Sequence, residues 1–178
     1  MNTEKALTGY PSIDKPWLKY YSEEALSIPI PEKTVFESIY ENNCEHPSDI
    51  ALEYFGRKIT YKTLFENVEL VKNAFVANGV KKGDRVIMFT SSTPELVYAV
   101  LALCRIGAVA NMVHPLSSKK NITFYLDYSK SKMILTLDQF YEKVKEAVNE
   151  SETNADILVA RIQNELPLVK SIAYKHLK

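Results

Sequence analysis

Apolar positions along the chain fall into two recurring patterns, and the way these alternate sets the expected fold. The runs Arg85 to Phe89 and Ala108 to Val113 are short, non-alternating and rich in branched side chains, so each reads as a fully buried strand. Between them, Leu96 to Ile106 is apolar nearly all round and reads as a helix covered on most sides. Its start is well marked. The Thr93 hydroxyl is placed to cap it, Pro94 fits the first helical position and Glu95 complements the positive end of the helix dipole. Gly107 supplies the left-handed residue that closes it. Two buried strands joined by a helix are parallel with a right-handed crossover. The fold class is therefore α/β, with at least four strands in a mostly parallel sheet and helices on both faces.

The same reading extends along the rest of the chain. Residues 1–33 hold Pro11, Pro16, Pro29 and Pro31 with Trp17, Tyr20 and Tyr21 between them and show no sustained period. They read as an extended leader whose aromatics lie against the body of residues 34–178. Thr34 and Glu37 form a capping box before a short helix, Val35 to about Asn43. Ile50 to Phe55, Gly56-Arg57 and Lys58 to Thr60 read as a hairpin packed beside the sheet. Leu64, Val68, Val71 and Phe75 then share one helical stripe ending near Gly79, with Lys62, Glu66, Glu69 and Lys72 on a solvated face. Beyond the central unit, Ser117 or Ser118 caps a helix carrying Ile122, Tyr125 and Leu126, and a strand runs from Lys132 to Leu137. Asp138 caps a helix with Phe140, Val144 and Val148 on one side. Glu150 to Asn154 is a loop. Ile157, Leu158, Arg161, Ile162 and Leu166 suggest a short helix stopped by Pro167, and Leu168 to Tyr174 a last strand.

Charge and composition remove several classes of function. Lys+Arg 22 balances Asp+Glu 22, which leaves no net charge to draw the chain towards nucleic acid. No apolar run reaches the roughly 18 residues of a membrane span, and the N-terminus lacks the pattern of a signal peptide, so the chain reads as soluble and cytoplasmic. Cys44 and Cys104 read as reduced thiols rather than a disulfide. His46, His114 and His176 stand far apart with no Cys or carboxylate at ligand spacing, so no metal site is assigned.

Candidate chemistry is sparse. Glycine occurs only at positions 9, 56, 79, 83 and 107, and neither the Walker nor the dinucleotide fingerprint can be written anywhere. Ser91, Ser92 and Thr93 fall at the carboxyl end of a parallel strand, where open α/β sheets place ligands, which suits an anion contact. Plain helix capping is the preferred reading, because the turn has no glycine. His114 ends the second strand on the same edge and suits a base or a polar pocket wall. A hydrogen-bonded strand-end histidine is preferred there, since no carboxylate neighbours it in sequence. No residue is assigned a catalytic, cofactor-binding or metal-binding role.

The order and spacing of several short motifs carry a resemblance. Thr60-Tyr61 with Leu64, Gly79-Val80, Gly83-Asp84-Arg85-Val86, Pro94-Glu95 and Gly107-Ala108-Val109 resemble the N-terminal part of the AMP-forming acyl-CoA synthetases, within the adenylate-forming ligases. The resemblance spans Thr34 to His114, and Gly9-Tyr10-Pro11 with Lys15-Pro16-Trp17 is similar to the opening of fatty acyl-CoA ligases. Ser92 and His114 stand where these enzymes often have Asn. The resemblance implies that residues 34–178 are an incomplete domain, a fragment of a long-chain fatty-acid–CoA ligase. The parent would activate a fatty acid with ATP and magnesium to an acyl-adenylate and pass the acyl group to CoA. The family's Ser/Thr/Gly-rich phosphate loop and catalytic-lysine segment are not found in the 178 residues, so the fragment is expected to be inactive, to hold no cofactor and to self-associate through its uncovered face. The alternative is a stand-alone binding or regulatory module of the same fold.

Overall fold

The computed structural model describes residues 7–176. By contact density the chain divides into two compact units, Met1–Lys33 and Thr34–Lys178. In the first, the prolines do not leave the segment extended throughout. Pro11 and Pro16 each begin a short helical element, since proline is tolerated where the first N–H groups have no partner. These are α1 (Pro11–Asp14) and a 3₁₀ turn at Pro16–Tyr20, followed by α2 (Glu23–Ser27), which Ser22 caps. None of the three carries a buried residue, so they hold no core of their own.

The second unit opens with α3 (Val35–Asn43). Its capping box is complete: the Thr34 hydroxyl accepts the Glu37 N–H at 3.1 Å, and the Glu37 carboxylate accepts the Thr34 N–H at 2.7 Å. Strands β1 (Ile50–Tyr54) and β2 (Arg57–Thr60) form an antiparallel hairpin. Its turn is Phe55-Gly56, one residue earlier than expected, and both residues have positive φ (51° and 90°), as a two-residue turn matched to strand twist requires. Helix α4 (Tyr61–Ala77) buries Leu64, Val68 and Phe75 and packs Val71 against the core. Its polar face is partly engaged, because Glu69 pairs with both Lys72 and Arg105 of the following helix.

Strand β3 (Arg85–Phe89), helix α5 (Pro94–Ile106) and strand β4 (Val109–Met112) form the expected parallel unit. Helix α6 (Lys119–Ser129), capped by Ser118, leads to β5 (Met133–Leu137). Asp138 opens a 3₁₀ turn, Asp138–Phe140, instead of capping a helix, and α7 (Tyr141–Glu150) follows. Strand β6 (Asp156–Ala160) completes a four-stranded parallel sheet in the order β4-β3-β5-β6. Successive side chains of a strand point to opposite faces, and the core divides accordingly. Val86 and Met88 of β3, with Met133 and Leu135 of β5, pack with α3, α4, α5 and Ile59 of the hairpin. Ile87, Phe89 and Ile134 pack with Ile122 and Leu126 of α6 and Val144 and Ala147 of α7.

Two expectations near the C-terminus are corrected. The apolar residues from Ile157 form β6 and not a helix: Ile157, Leu158 and Val159 pair in register with Ile134, Leu135 and Thr136. The open edge of β5 needs a backbone partner, and that demand overrides the helical spacing. Leu168 to Tyr174 is not a strand but lies in helix α8 (Leu168–His176), after a 3₁₀ turn at Ile162–Glu165. Pro167 starts this helix instead of stopping one, since its carbonyl accepts the Ser171 N–H at 2.8 Å. Val169, Ile172 and Ala173 have the i, i+3, i+4 spacing of a helix, which a seven-residue window conceals.

Gly107 ends α5 at φ 75°, as its sequence position requires. A Cβ there would meet only Lys82 Cγ at 3.1 Å, the side of a flexible chain that can move away. The cost of Gly107→Val is therefore mostly backbone strain, about 1 kcal/mol or more. A denaturation midpoint unchanged by the substitution would refute the left-handed assignment.

Candidate functional site

The strand order places a switch point between β3 and β5. From β3 the chain leaves through α5 on one face to reach β4, and it returns through α6 on the other face to reach β5. Open α/β sheets bind ligands in the crevice at such a point, outside the carboxyl ends of the strands. Here that edge is formed by Thr90 to Thr93 after β3 and by Asp138 after β5. Thr90 is buried and its hydroxyl donates to the Ser91 carbonyl at 3.1 Å, so it shapes the loop. Lys143 of α7 brings its Nζ to 5.6 Å from the ring centre of Phe89 and 5.7 Å from that of Phe140. The same Nζ donates to the Ser117 carbonyl at 3.4 Å.

The residues singled out in the sequence separate in space by role. Ser91 and Thr93 line an apolar cleft of about 450 Å³, whose other walls are Tyr54 and Phe55 of the hairpin, Ile162 and Leu166, and Lys170 and Tyr174 of α8. Ser92 is exposed and borders a second hollow with Leu52, Pro94 and Val97. His114 is not among the residues lining either. It is exposed, its Nδ1 accepts the Leu116 N–H at 3.2 Å and its carbonyl accepts the Ser117 N–H at 2.9 Å, so it organises its own turn. Among the described residues no group of His, Cys, Asp or Glu could hold a metal ion, and both cysteines are free thiols. No helix of the described residues is long and apolar enough to cross a membrane.

Thr93 departs from its expected part. It stands at the N-cap with extended backbone, yet its side chain makes no cap hydrogen bond. It is 3% exposed and its hydroxyl oxygen is sealed without a partner. Glu95 follows suit: both carboxylate oxygens are buried and unpartnered, although the first turn of a helix ordinarily leaves an acid in water. Burial is the main cause that pushes its carboxyl above the usual range. The Glu165 carboxylate adds to this, while its own backbone N–H, the nearby Thr93 hydroxyl and Arg57 offset part.

Sequence reasoning missed the partners of this acid. Arg57 of β2 donates from Nη1 to the Asn164 carbonyl at 2.6 Å and places Nη2 3.4 Å from Glu165. Glu165, 8% exposed, accepts the Tyr98 hydroxyl of α5 at 3.4 Å. Burial raises Glu165 as well, against the opposing pull of Arg57 and Tyr98. Tyr98 is raised by burial and then by Glu165, and Tyr54 by burial and then by Glu95. One available signal was Tyr98 itself, three residues after Glu95 on the same helical face, which places a polar pair within an otherwise apolar helix. The arrangement offers two carboxyls held towards their neutral form, one guanidinium and a buried hydroxyl beside an apolar cleft. It contains no paired nucleophile and base.

Comparison with known proteins assigns the chain to a family. Residues 39–176 match the model of the AMP-binding enzymes. The chain is 25% identical over 161 residues to a long-chain-fatty-acid–CoA ligase of Bacillus subtilis (strain 168), a match covering 90% of this chain and 29% of that protein. It is 36% identical over 110 residues to an acetyl-coenzyme A synthetase of Brucella canis, covering 62% of this chain and 17% of that one. Among solved structures, it superposes on a benzoate CoA ligase from Burkholderia xenovorans LB400 with a TM-score of 0.68 at 16% identity, over 79% of this chain and 28% of that one. It also superposes on the N-terminal subdomain of Klebsiella oxytoca NpsA, with a TM-score of 0.61 at 27% identity, over 71% of this chain and 31% of that one. The chain thus spans less than a third of the length of these curated relatives. Covering most of the chain, the family match shows that this chain belongs to the AMP-binding enzymes.

Proposed function

We propose that this chain is the N-terminal part of an ATP-dependent, AMP-forming fatty-acid–CoA ligase, and that residues 1–178 alone form no acyl-adenylate. The observation that carries the reading is the family match over residues 39–176. A long-chain acid is favoured over acetate because similarity to the Bacillus subtilis ligase extends over 90% of the chain, against 62% for the acetyl-coenzyme A synthetase. Adenylation needs the triphosphate held by oriented donors and cations, with the carboxylate set beside the α-phosphorus. The 178 residues contain no Ser/Thr/Gly-rich loop for that task, and glycine is absent after Gly107. In the whole enzyme ATP, magnesium and CoA are the expected cofactors, bound largely by segments outside these residues. This portion supplies the parallel sheet and the loop Ser91 to Thr93.

The test is ATP–pyrophosphate exchange with acids from acetate to hexadecanoate. It is run on this chain and on the polypeptide extended through whatever codons follow Lys178. We expect no exchange by the chain above a protein-free control, and exchange by the extended polypeptide that is fastest with the long acids. Exchange by the 178 residues alone, a stop codon directly after Lys178, or a preference for acetate would each contradict part of the proposal.

A further inference from the structure

We propose that the 3₁₀ turn Ile162–Glu165 and helix α8 form a proton-gated strap, closed over Thr93 and Glu95 while Glu95 carries a proton and released when Glu95 ionises. The proposal rests on the seam between this segment and α5. On one side, the Thr93 hydroxyl and both Glu95 carboxylate oxygens are sealed from water, and the carboxylate is eased only in part by the nearby Thr93 hydroxyl and its own backbone N–H. Leaving such groups buried opposes closure, and opening would hydrate all three.

The other side is fastened by polar contacts, exposed at Arg57–Asn164 and Lys170–Phe55 and buried at Tyr98–Glu165. Arg57 reaches the Asn164 carbonyl at 2.6 Å and Glu165 at 3.4 Å, Tyr98 reaches Glu165 at 3.4 Å, and Lys170 donates to the Phe55 carbonyl at 2.9 Å. The outward residues Leu168 and Val169 are 77% and 79% exposed, so apolar packing adds little to the clasp on that side. Segments held in this manner open more readily than the core.

The charged and titratable groups around Glu95 come from every neighbouring element. Arg57 stands on β2, Tyr54 on β1, Tyr98 on α5 and Glu165 on the 3₁₀ turn, with Tyr174 of α8 beside Tyr54. The single guanidinium lies nearer Glu165, with which it makes a contact; its pull on Glu95 is the smallest of the influences there. Among the described residues Glu95 therefore has no counter-ion of its own. Burial raises both carboxyls in the closed form, and exposure to water on opening returns them towards the ordinary glutamate value. The closed form then binds more protons than the open one. Closure is favoured at low pH and weakens as pH rises from the ordinary glutamate range through the raised values.

The experiment is hydrogen exchange of the amides of residues 162–174 from about pH 5 to about pH 9, expressed as protection factors. It compares the unmodified chain with E95Q and E165Q. We expect protection in the unmodified chain to fall roughly fivefold or more with rising pH, since each tenfold lowering of an acidity constant by closure is worth tenfold in the opening equilibrium. The amides of β5 should not follow it. E95Q should show only the smaller fall left to Glu165, whose rise Arg57 and Tyr98 oppose, and E165Q should keep the larger fall driven by Glu95. A flat profile in the unmodified chain, or the same fall in E95Q, overturns the proposal. If E95Q does not fold, side-chain carboxyl carbon-13 titration of Glu95 in the unmodified chain decides, and a carboxyl that titrates at the ordinary value overturns it.

Discussion

Replacing Phe89 by alanine is expected to destabilise the second unit by about 3–5 kcal/mol, the range for removing a fully buried aromatic ring. Phe89 ends β3 with no exposed surface and belongs to the layer beneath α6 and α7. Its ring meets that of Phe140 edge-on at 5.5 Å, and Lys143 lies over it. Truncation removes the transfer free energy of the ring and leaves a cavity between a rigid sheet and two helices, which cannot close around it. The loss compares with the whole stability of a typical domain, about 5–15 kcal/mol. Urea denaturation followed by far-ultraviolet circular dichroism reads the effect. A cost below about 1 kcal/mol would mean that Phe89 is not in this core.

Arg57→Ala should have the next largest effect, and it should be local. Among the described residues the guanidinium is the one cation paired with Glu165, whose side chain is 11% exposed, and it also satisfies the Asn164 carbonyl. Removing one partner of a buried pair costs about 3–5 kcal/mol, but the Arg57 side chain is 34% exposed and water screens the pair. We expect about 2 kcal/mol after that discount. The loss should appear as faster amide exchange in residues 162–174, with β3 and β5 unchanged. A uniform loss across the sheet would mean instead that Arg57 supports the whole unit.

What the sequence made legible was local. The Thr34 capping box, the stripe Leu64, Val68 and Phe75, and the succession β3, α5, β4 each rest on residues within a few turns of one another. Physical chemistry over that range fixes their conformation. Strand β6 and helix α8 were misread because the deciding partner lay elsewhere: the unfilled edge of β5 drew Ile157 to Ala160 into a strand. Without a strand beside them, Leu168 onward followed helical spacing. The acid cluster was hidden for the same reason. Glu95 read as an ordinary helix-start acid; Tyr98, three residues on, was the one nearby polar signal, and Arg57 and Glu165, which pair with each other, lie far from it in sequence.

The strand order also governs how the chain matures as it leaves the ribosome. The first neighbour available to β3 is β4, because only α5 intervenes, so one edge of the seed strand is covered as soon as Met112 is out. The other edge must wait for β5, whose Met133 reaches back to Val86, while the side chains of Ile87 and Phe89 are covered in turn by α6 and α7. At roughly 5–20 residues per second, synthesis from Met112 to Leu137 takes on the order of one to five seconds. For that interval the nascent chain presents a bare parallel edge, and the apolar face beside it lacks α7, so this interval is when a holdase chaperone would have most to grip.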